Sequence, residues 1–200
     1  ALREFAESGV PCVVRIDPII PFFTDDKKML KELIDLISEI GARHVITSIM
    51  DIDLYIWESL KKFFERRGYG DIIDKYLDLY FVRGDEIKGY MHADIKYRLD
   101  MFTFMRREVT KKGMTFALCQ EYKVIWQSGI KHVVGLNNEY MTSIYCEGIP
   151  LHPVMRKNDR LVEVPCYADC IRCKEVVCGI PELQGGRRIK VSLLYKGKEP

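Results

Sequence analysis

Four of the seven cysteines in this 200-residue chain, Cys166, Cys170, Cys173 and Cys178, crowd into one short stretch near its end. The first three are spaced C-x3-C-x2-C, and Cys178 follows shortly after. A loop with that spacing can wrap one [4Fe–4S] cubane and present three thiolates to three irons. The fourth iron then stays open to a small molecule, or Cys178 closes the cluster. Four neighbouring thiolates also suit a tetrahedral zinc site made of cysteines alone. Zinc sites more often use two C-x2-C pairs, and only Cys170–Cys173 has that spacing here. Disulfides are the weaker reading, because the opening residues lack the basic-then-apolar order of a secretory signal. Cys12, Cys119 and Cys146 are scattered along the chain.

The totals restrict what such a site could serve. Apolar residues make up 48% of the chain and charged residues 30%, which supports one ordinary core of a cytoplasmic type. A net charge of +2 does not by itself argue for nucleic acid or a membrane surface. No apolar run approaches the length of a membrane span.

The elements that would position the site alternate between strand and helix. Pro11-Cys12-Val13-Val14-Arg15-Ile16 reads as a buried parallel strand. Thr24 is expected to cap the next helix, with Asp25 and Asp26 in its first turn. Met29, Leu30, Leu33, Ile34, Ile37 and Ile40 recur at helical spacing, and Gly41 supplies a left-handed stop. His44-Val45-Ile46-Thr47-Ser48-Ile49 follows as a second strand, and a strand–helix–strand unit makes the two strands parallel neighbours. Residues 53–67 carry Leu54, Trp57, Leu60, Phe63 and Phe64 at helical spacing, and a further helical stretch runs from about Asp71 to Leu79. Val82 to Tyr90 is polar and irregular. Tyr97 to Lys112 reads as a helix that Gly113 ends. Met114 to Cys119 is a third strand and Lys131-His132-Val133-Val134 a fourth. This is the pattern of an α/β fold with helices covering a parallel sheet. Pro150, Pro153, Pro165 and Pro181 break up the remainder, and Arg187 to Val191 reads as a last strand.

The stretch Arg15-Ile16-Asp17-Pro18-Ile19-Ile20-Pro21, followed by Asp25-Asp26 and a helix, resembles a segment late in the barrel of radical S-adenosylmethionine (SAM) proteins. The similarity is to the spore-photoproduct-lyase or DNA-repair-photolyase-like group. The strand around Ser48 with Asp51 nearby, and Met114 to Glu121 with its terminal Cys and acid, resemble following strands of such a barrel. The resemblance covers roughly residues 1–145. It implies a partial (β/α) barrel over 1–145 and a cysteine-rich, cluster-binding segment over 146–200. It also implies a [4Fe–4S] cluster and SAM as cofactors, generation of a 5′-deoxyadenosyl radical for hydrogen abstraction, and a nucleic-acid substrate. The family's usual cysteine triad follows the first strand, whereas here the only C-x3-C-x2-C lies after the strands. The opening residues read as the tail of an amphipathic helix, which fits a chain that lacks an N-terminal barrel half or takes it from a partner. In that case the late cysteines would bind an auxiliary cluster; the competing explanation is similarity to radical-SAM-like families whose triad comes late in the chain.

Ligands of parallel sheets sit beyond the C-terminal strand ends. By the resemblance, Arg15 would pair with the SAM carboxylate, since a guanidinium fork matches a carboxylate. Asp17 would join it, and Ser48 would bind the methionyl or ribose part. Cys119 would donate hydrogen to a substrate radical or ligate a cluster. Each has a plainer reading: an Arg15–Asp17 salt bridge, a satisfied hydroxyl, a core thiol. His44, His92, His132 and His152 show no metal-site spacing, and Arg106-Arg107, Lys111-Lys112 and Arg187-Arg188 could contact phosphate. Phe22-Phe23, Phe63-Phe64 and Tyr80-Phe81 read as core. The alternative to an enzyme is a binding module stabilised by a four-cysteine zinc site or a closed cluster.

Overall fold

A computed structural model of the chain describes residues 1–87, 89–143 and 146–148, and the backbone of three later strand segments. A short helix α1 (Leu2–Glu7) leads into strand β1 (Cys12–Ile19), helix α2 (Lys27–Ile40) and strand β2 (Ala42–Ile49). The chain continues through β3 (Ile52–Asp53), α3 (Leu54–Arg66) and α4 (Gly70–Tyr76), which runs straight into a π-helical turn, Leu77–Val82. Strands β4 (Asp85–Ile87) and β5 (Tyr90–His92) precede α5 (Ile95–Lys111). Then come β6 (Thr115–Leu118), β7 (Tyr122–Gln127), β8 (Ile130–Gly135) and a one-turn helix α6 (Asn137–Tyr140). The last segments are β9 (Val154–Lys157), β10 (Arg160–Glu163) and β11 (Ile189–Lys190).

The main sheet is parallel, with order β1-β2-β6. Its middle strand has a near-continuous apolar sequence because both faces are covered: Val45, Ile46, Thr47 and Ile49 are all buried. Helix α2 lays Leu30, Ile34 and Ile37 into the core at i, i+4 and i+7. Met29 and Leu33, which share the apolar periodicity, stay exposed at its margins. The cap of α2 is Asp26, whose carboxylate accepts from the Met29 amide at 2.7 Å. Thr24, the expected cap, instead accepts from the Ile20 amide and shapes the preceding turn. Gly41 ends the helix at φ 97, and a Cβ there would lie 2.8 Å from Ala6 of α1.

The strand Lys131–Val134 does not extend this sheet. It lies in β8, which forms an antiparallel hairpin with β7 through Ser128 and Gly129, both at positive φ. Two successive positive-φ residues twist the chain as a two-residue hairpin requires. The segment 82–90, read as irregular, supplies β4 and the start of β5, and these join β3 in a small antiparallel sheet.

The parallel sheet stops at β6 for a local reason. The amide of Leu118 donates to Asn137 Oδ1 and its carbonyl accepts from Asn137 Nδ2, both at 2.7 Å. The Phe116 amide donates to Thr142 Oγ1 at 2.8 Å, and its carbonyl accepts from the Thr142 amide at 2.9 Å. Side chains and loop backbone thus occupy the groups that another strand would use. Among the described residues the sheet has three strands and does not close on itself. No described helix is long and apolar enough to cross a membrane.

The core joins α2, α3, α5 and the sheet to an aromatic cluster in which Tyr76 meets Phe22, Trp57, Phe64 and Tyr80. The buried hydroxyls of these tyrosines are satisfied, Tyr76 donating to Pro21 O and Tyr80 to Met50 O. The edge-sealing role of Asn137 is directly measurable. Asn137→Leu keeps the approximate volume but strands two buried backbone groups, at a cost of about 2–3 kcal/mol. Urea unfolding is expected to show a lower midpoint with an unchanged slope, while a neighbouring Asn138→Leu leaves the midpoint where it was.

Candidate functional site

Four of the residues singled out from sequence converge at the C-terminal side of the parallel sheet. Arg15 of β1 donates through Nη2 to Asp17 Oδ2 at 2.7 Å and to Cys119 Sγ at 2.9 Å. The Ser48 hydroxyl of β2 donates to the other oxygen of Asp17. Three adjacent strand ends therefore supply four polar groups to a single cluster, two from β1 and one each from β2 and the residue after β6, because their register sets residues near Arg15, Ser48 and Cys119 side by side. Cys119 is held there by its own amide, which donates to Thr47 O at 2.9 Å.

A fifth member, Glu147, carried no motif in the sequence. It accepts from Arg15 Nη1 at 3.2 and 3.4 Å. Its position follows from His44. The Cys146 carbonyl can only accept, so His44 Nε2 carries the hydrogen of their 3.0 Å bond. Burial keeps the imidazole pKa below its ordinary value. In the neutral ring, the Thr115 hydroxyl is the donor to Nδ1 across 2.8 Å. Gly148, at φ 71, lies against the same ring, and a Cβ there would sit 2.2 Å from His44 Cγ. Only glycine allows that approach, and it brings Glu147 down onto Arg15.

The electrostatics of the cluster centre on the guanidinium. Asp17, bonded to it, raises the Arg15 pKa, so the cation persists throughout the ordinary pH range. Burial pushes the Cys119 thiol pKa up and Asp17 adds to this, while Arg15 pulls the other way. The net direction is upward, which keeps Cys119 as a thiol near neutral pH. The arginine side chain remains 43% exposed and Glu147 34%, so the Arg15–Glu147 side of the cluster is open to solvent.

Glu121 goes elsewhere. Gln120 takes a left-handed conformation, φ 51, and the chain turns so that Cys119 and Glu121 part company. Glu121 Oε1 accepts from the Ile49 amide at 2.7 Å, and Oε2 accepts from Arg98 at 3.0 Å. Both partners are buried, Arg98 at 0% and Glu121 at 1% exposure. Arg98 also donates to Tyr122 O and Ala93 O. Nearby, His92 Nδ1 lies 2.7 Å from Asp51 Oδ1. Histidine spacing gave no sign of this pairing, because it is created by the β3–β5 ladder.

Cys12, Cys119 and Cys146 are free thiols. Among the described residues no group of three or more His, Cys, Asp or Glu side chains could hold a metal ion. Cys166, Cys170, Cys173 and Cys178 lie outside the described residues, as do Arg187 and Arg188. No protein-family model matches the chain, and no curated protein or solved structure matches it either.

Burial raises the Glu121 pKa above its ordinary value of 4.5, against the pull of Arg98. The folded state then holds a proton that the unfolded chain has lost, so this group's contribution to stability declines as pH rises above about 4.5. Unfolding free energies of wild type and Glu121→Gln, compared at pH 5 and pH 8, are expected to diverge. The wild type should lose stability relative to the variant at the higher pH.

Proposed function

We propose that this chain is the later part of a radical SAM enzyme, a partial (β/α) barrel whose strand ends form part of the SAM and substrate pocket. The observation that carries this reading is the convergence of Arg15, Asp17, Ser48 and Cys119 at one end of three parallel strands. The donor set fits the group. Arg15 makes its close bonds to Asp17 and Cys119 through Nη2, and a longer, solvent-facing pair to Glu147 through Nη1. A ligand carboxylate can take the place of Glu147 on that nitrogen, keeping the charge balance. Asp17 and Ser48 together offer an acceptor and a hydroxyl, the chemistry that holds a ribose or an ammonium group.

When bound, a [4Fe–4S] cluster with SAM supplies reductive cleavage to a 5′-deoxyadenosyl radical that abstracts hydrogen. In this proposal the chain's own residues bind and orient. Arg15 fixes a carboxylate, Asp17 holds Arg15 and Ser48 in place, and Cys119 keeps a hydrogen on sulfur within the same cluster. The protonated thiol is the form able to give a hydrogen atom to a substrate radical. Cys166, Cys170 and Cys173 are the proposed cluster ligands by their spacing, with Cys178 as a fourth thiolate that would close the site. A nucleic-acid substrate follows from the resemblance of the Arg15–Pro21 stretch alone.

Anaerobic purification with iron, sulfide and zinc analysis, then EPR of the dithionite-reduced protein, tests this directly. About four irons per chain and a spectrum perturbed by SAM are expected. Arg15→Gln should retain the iron and lose the SAM perturbation. Stoichiometric zinc without iron would replace the enzyme reading with a structural four-cysteine module.

A further inference from the structure

The outer face of α3 carries a feature unrelated to the strand-end cluster. Ser59, Lys62, Phe63, Arg66 and Arg67 line an open groove of about 350 Å³. Tyr55, 89% exposed, lies one turn before Ser59, so Tyr55, Ser59, Lys62, Phe63 and Arg66 share one helical stripe. Among the described residues no carboxylate ion-pairs with Lys62, Arg66 or Arg67, although Glu58 precedes Lys62 by one turn. By contrast, the other basic side chains of helix faces here are mostly matched: Lys31 with Asp35, Lys75 with Asp71, Lys111 with Glu108. Phe63 is 47% exposed, and the Arg67 guanidinium lies 5.7 Å from its ring centre. Its neighbour Phe64, at 2% exposure, is the residue that fills the core. The sequence pair Phe63-Phe64 thus splits into one core residue and one surface ring.

A groove whose charged side chains are all cations calls for an anion. Two exposed aromatic rings on the same stripe, eight residues apart, lie about 12 Å from each other along the axis. Rings interleaved with cations form the combination on which unpaired bases stack while their phosphates are neutralised. We propose that this stripe of α3 binds single-stranded nucleic acid, with Tyr55 and Phe63 as stacking platforms and Lys62, Arg66 and Arg67 on consecutive phosphates. Double-stranded ligand would present no base faces to either ring. The inference does not depend on the radical SAM reading, since none of these residues belongs to the strand-end cluster.

The plainer role for Arg66 and Arg67 is compensation of the helix dipole at the C-terminus of α3. That role would appear in thermal stability and leave ligand affinity alone, so the two readings separate. Fluorescence anisotropy with the full chain and a labelled single-stranded oligonucleotide of about 15 nucleotides measures both affinity and salt dependence. Three neutralised phosphates predict a slope of log K against log salt of about −2, and Lys62→Gln or Arg66→Gln should each reduce its magnitude by about 0.7. Tyr55→Ala and Phe63→Ala should each weaken binding about 5- to 100-fold with the salt slope unchanged. Tyr55 is an exposed side chain, so its removal takes little packing from the fold, which guards against loss of structure in the Phe63 variant. Lys28→Gln, an equal charge change on the exposed face of α2, should have no effect. The proposal is overturned if no binding is seen at low salt, or if Lys28→Gln acts as strongly as Lys62→Gln. It is overturned equally if the aromatic variants bind as wild type, or if anionic phosphatidylserine vesicles, and not the oligonucleotide, show the Lys62 and Arg66 dependence.

Discussion

The buried Arg98–Glu121 pair is the point at which most of the fold is tied together. Arg98 enters from α5, Glu121 from the link between β6 and β7, and the Ile49 amide from the end of β2. Arg98 then reaches Ala93 after β5 and the Tyr122 carbonyl. Polar groups taken so far from water are tolerated only when hydrogen-bonded, and leaving one of them without its partner costs about 1–3 kcal/mol or more. Arg98 Nε and Nη1 and both oxygens of Glu121 are bonded, and few other arrangements of these segments would bond all four. The pair therefore fixes where β6 ends relative to β2, and that alignment sets the distance between Cys119 and Ser48.

The same constraint explains why two acids so near in sequence to the site residues do different work. Glu121 is consumed by the core, and the left-handed Gln120 lets the chain present Cys119 to the opposite side, where Asp17 holds Arg15. The strand-end cluster is then assembled from short polar side chains around a single long one, Arg15. Its other boundary is set from a distance by His44, whose bond to the Cys146 carbonyl and contact with Gly148 place Glu147. The sheet ends at β6 because Asn137 and Thr142 imitate a neighbouring strand. No comparable side-chain seal is seen on β1, which pairs with β2 alone among the described residues.

Much of this is legible in the sequence. Periodicity places β1, α2, β2, α3, α5 and β6 within a few residues, because each is long enough to show its burial pattern. The association of Arg15 with Asp17, and of Ser48 and Cys119 with the same strand ends, follows from parallel strand order. What escapes a sequence reading depends on contacts between distant segments or on short turns. The Ser128-Gly129 hairpin is a two-residue signal, and without it β8 passes for another parallel strand. The β4–β5 ladder is only three residues per strand and too short for periodicity. Thr24 and Asp26 are both good caps, and only the geometry of the Ile20–Thr24 turn chooses between them. Glu147 gains its partner, and His92 its closeness to Asp51, through tertiary packing alone, across 132 residues in the case of Arg15 and Glu147.

The two charged features divide along the same physical line. Arg15 is surrounded by Asp17, Glu147 and a thiol, so its charge is already balanced and any anionic ligand must displace a resident group. Such a site selects by exchange, favouring a carboxylate that fits the vacated geometry. Among the described residues Lys62, Arg66 and Arg67 have no resident anion to displace, so their attraction is longer-ranged, screened by salt and poorly selective. A cluster of the first kind suits recognition of one small molecule at the sheet, and a stripe of the second suits an extended polyanion on the surface. In the two proposals together, the chain orients a cofactor by exchange at its strand ends and gathers a strand of nucleic acid by diffuse charge on α3.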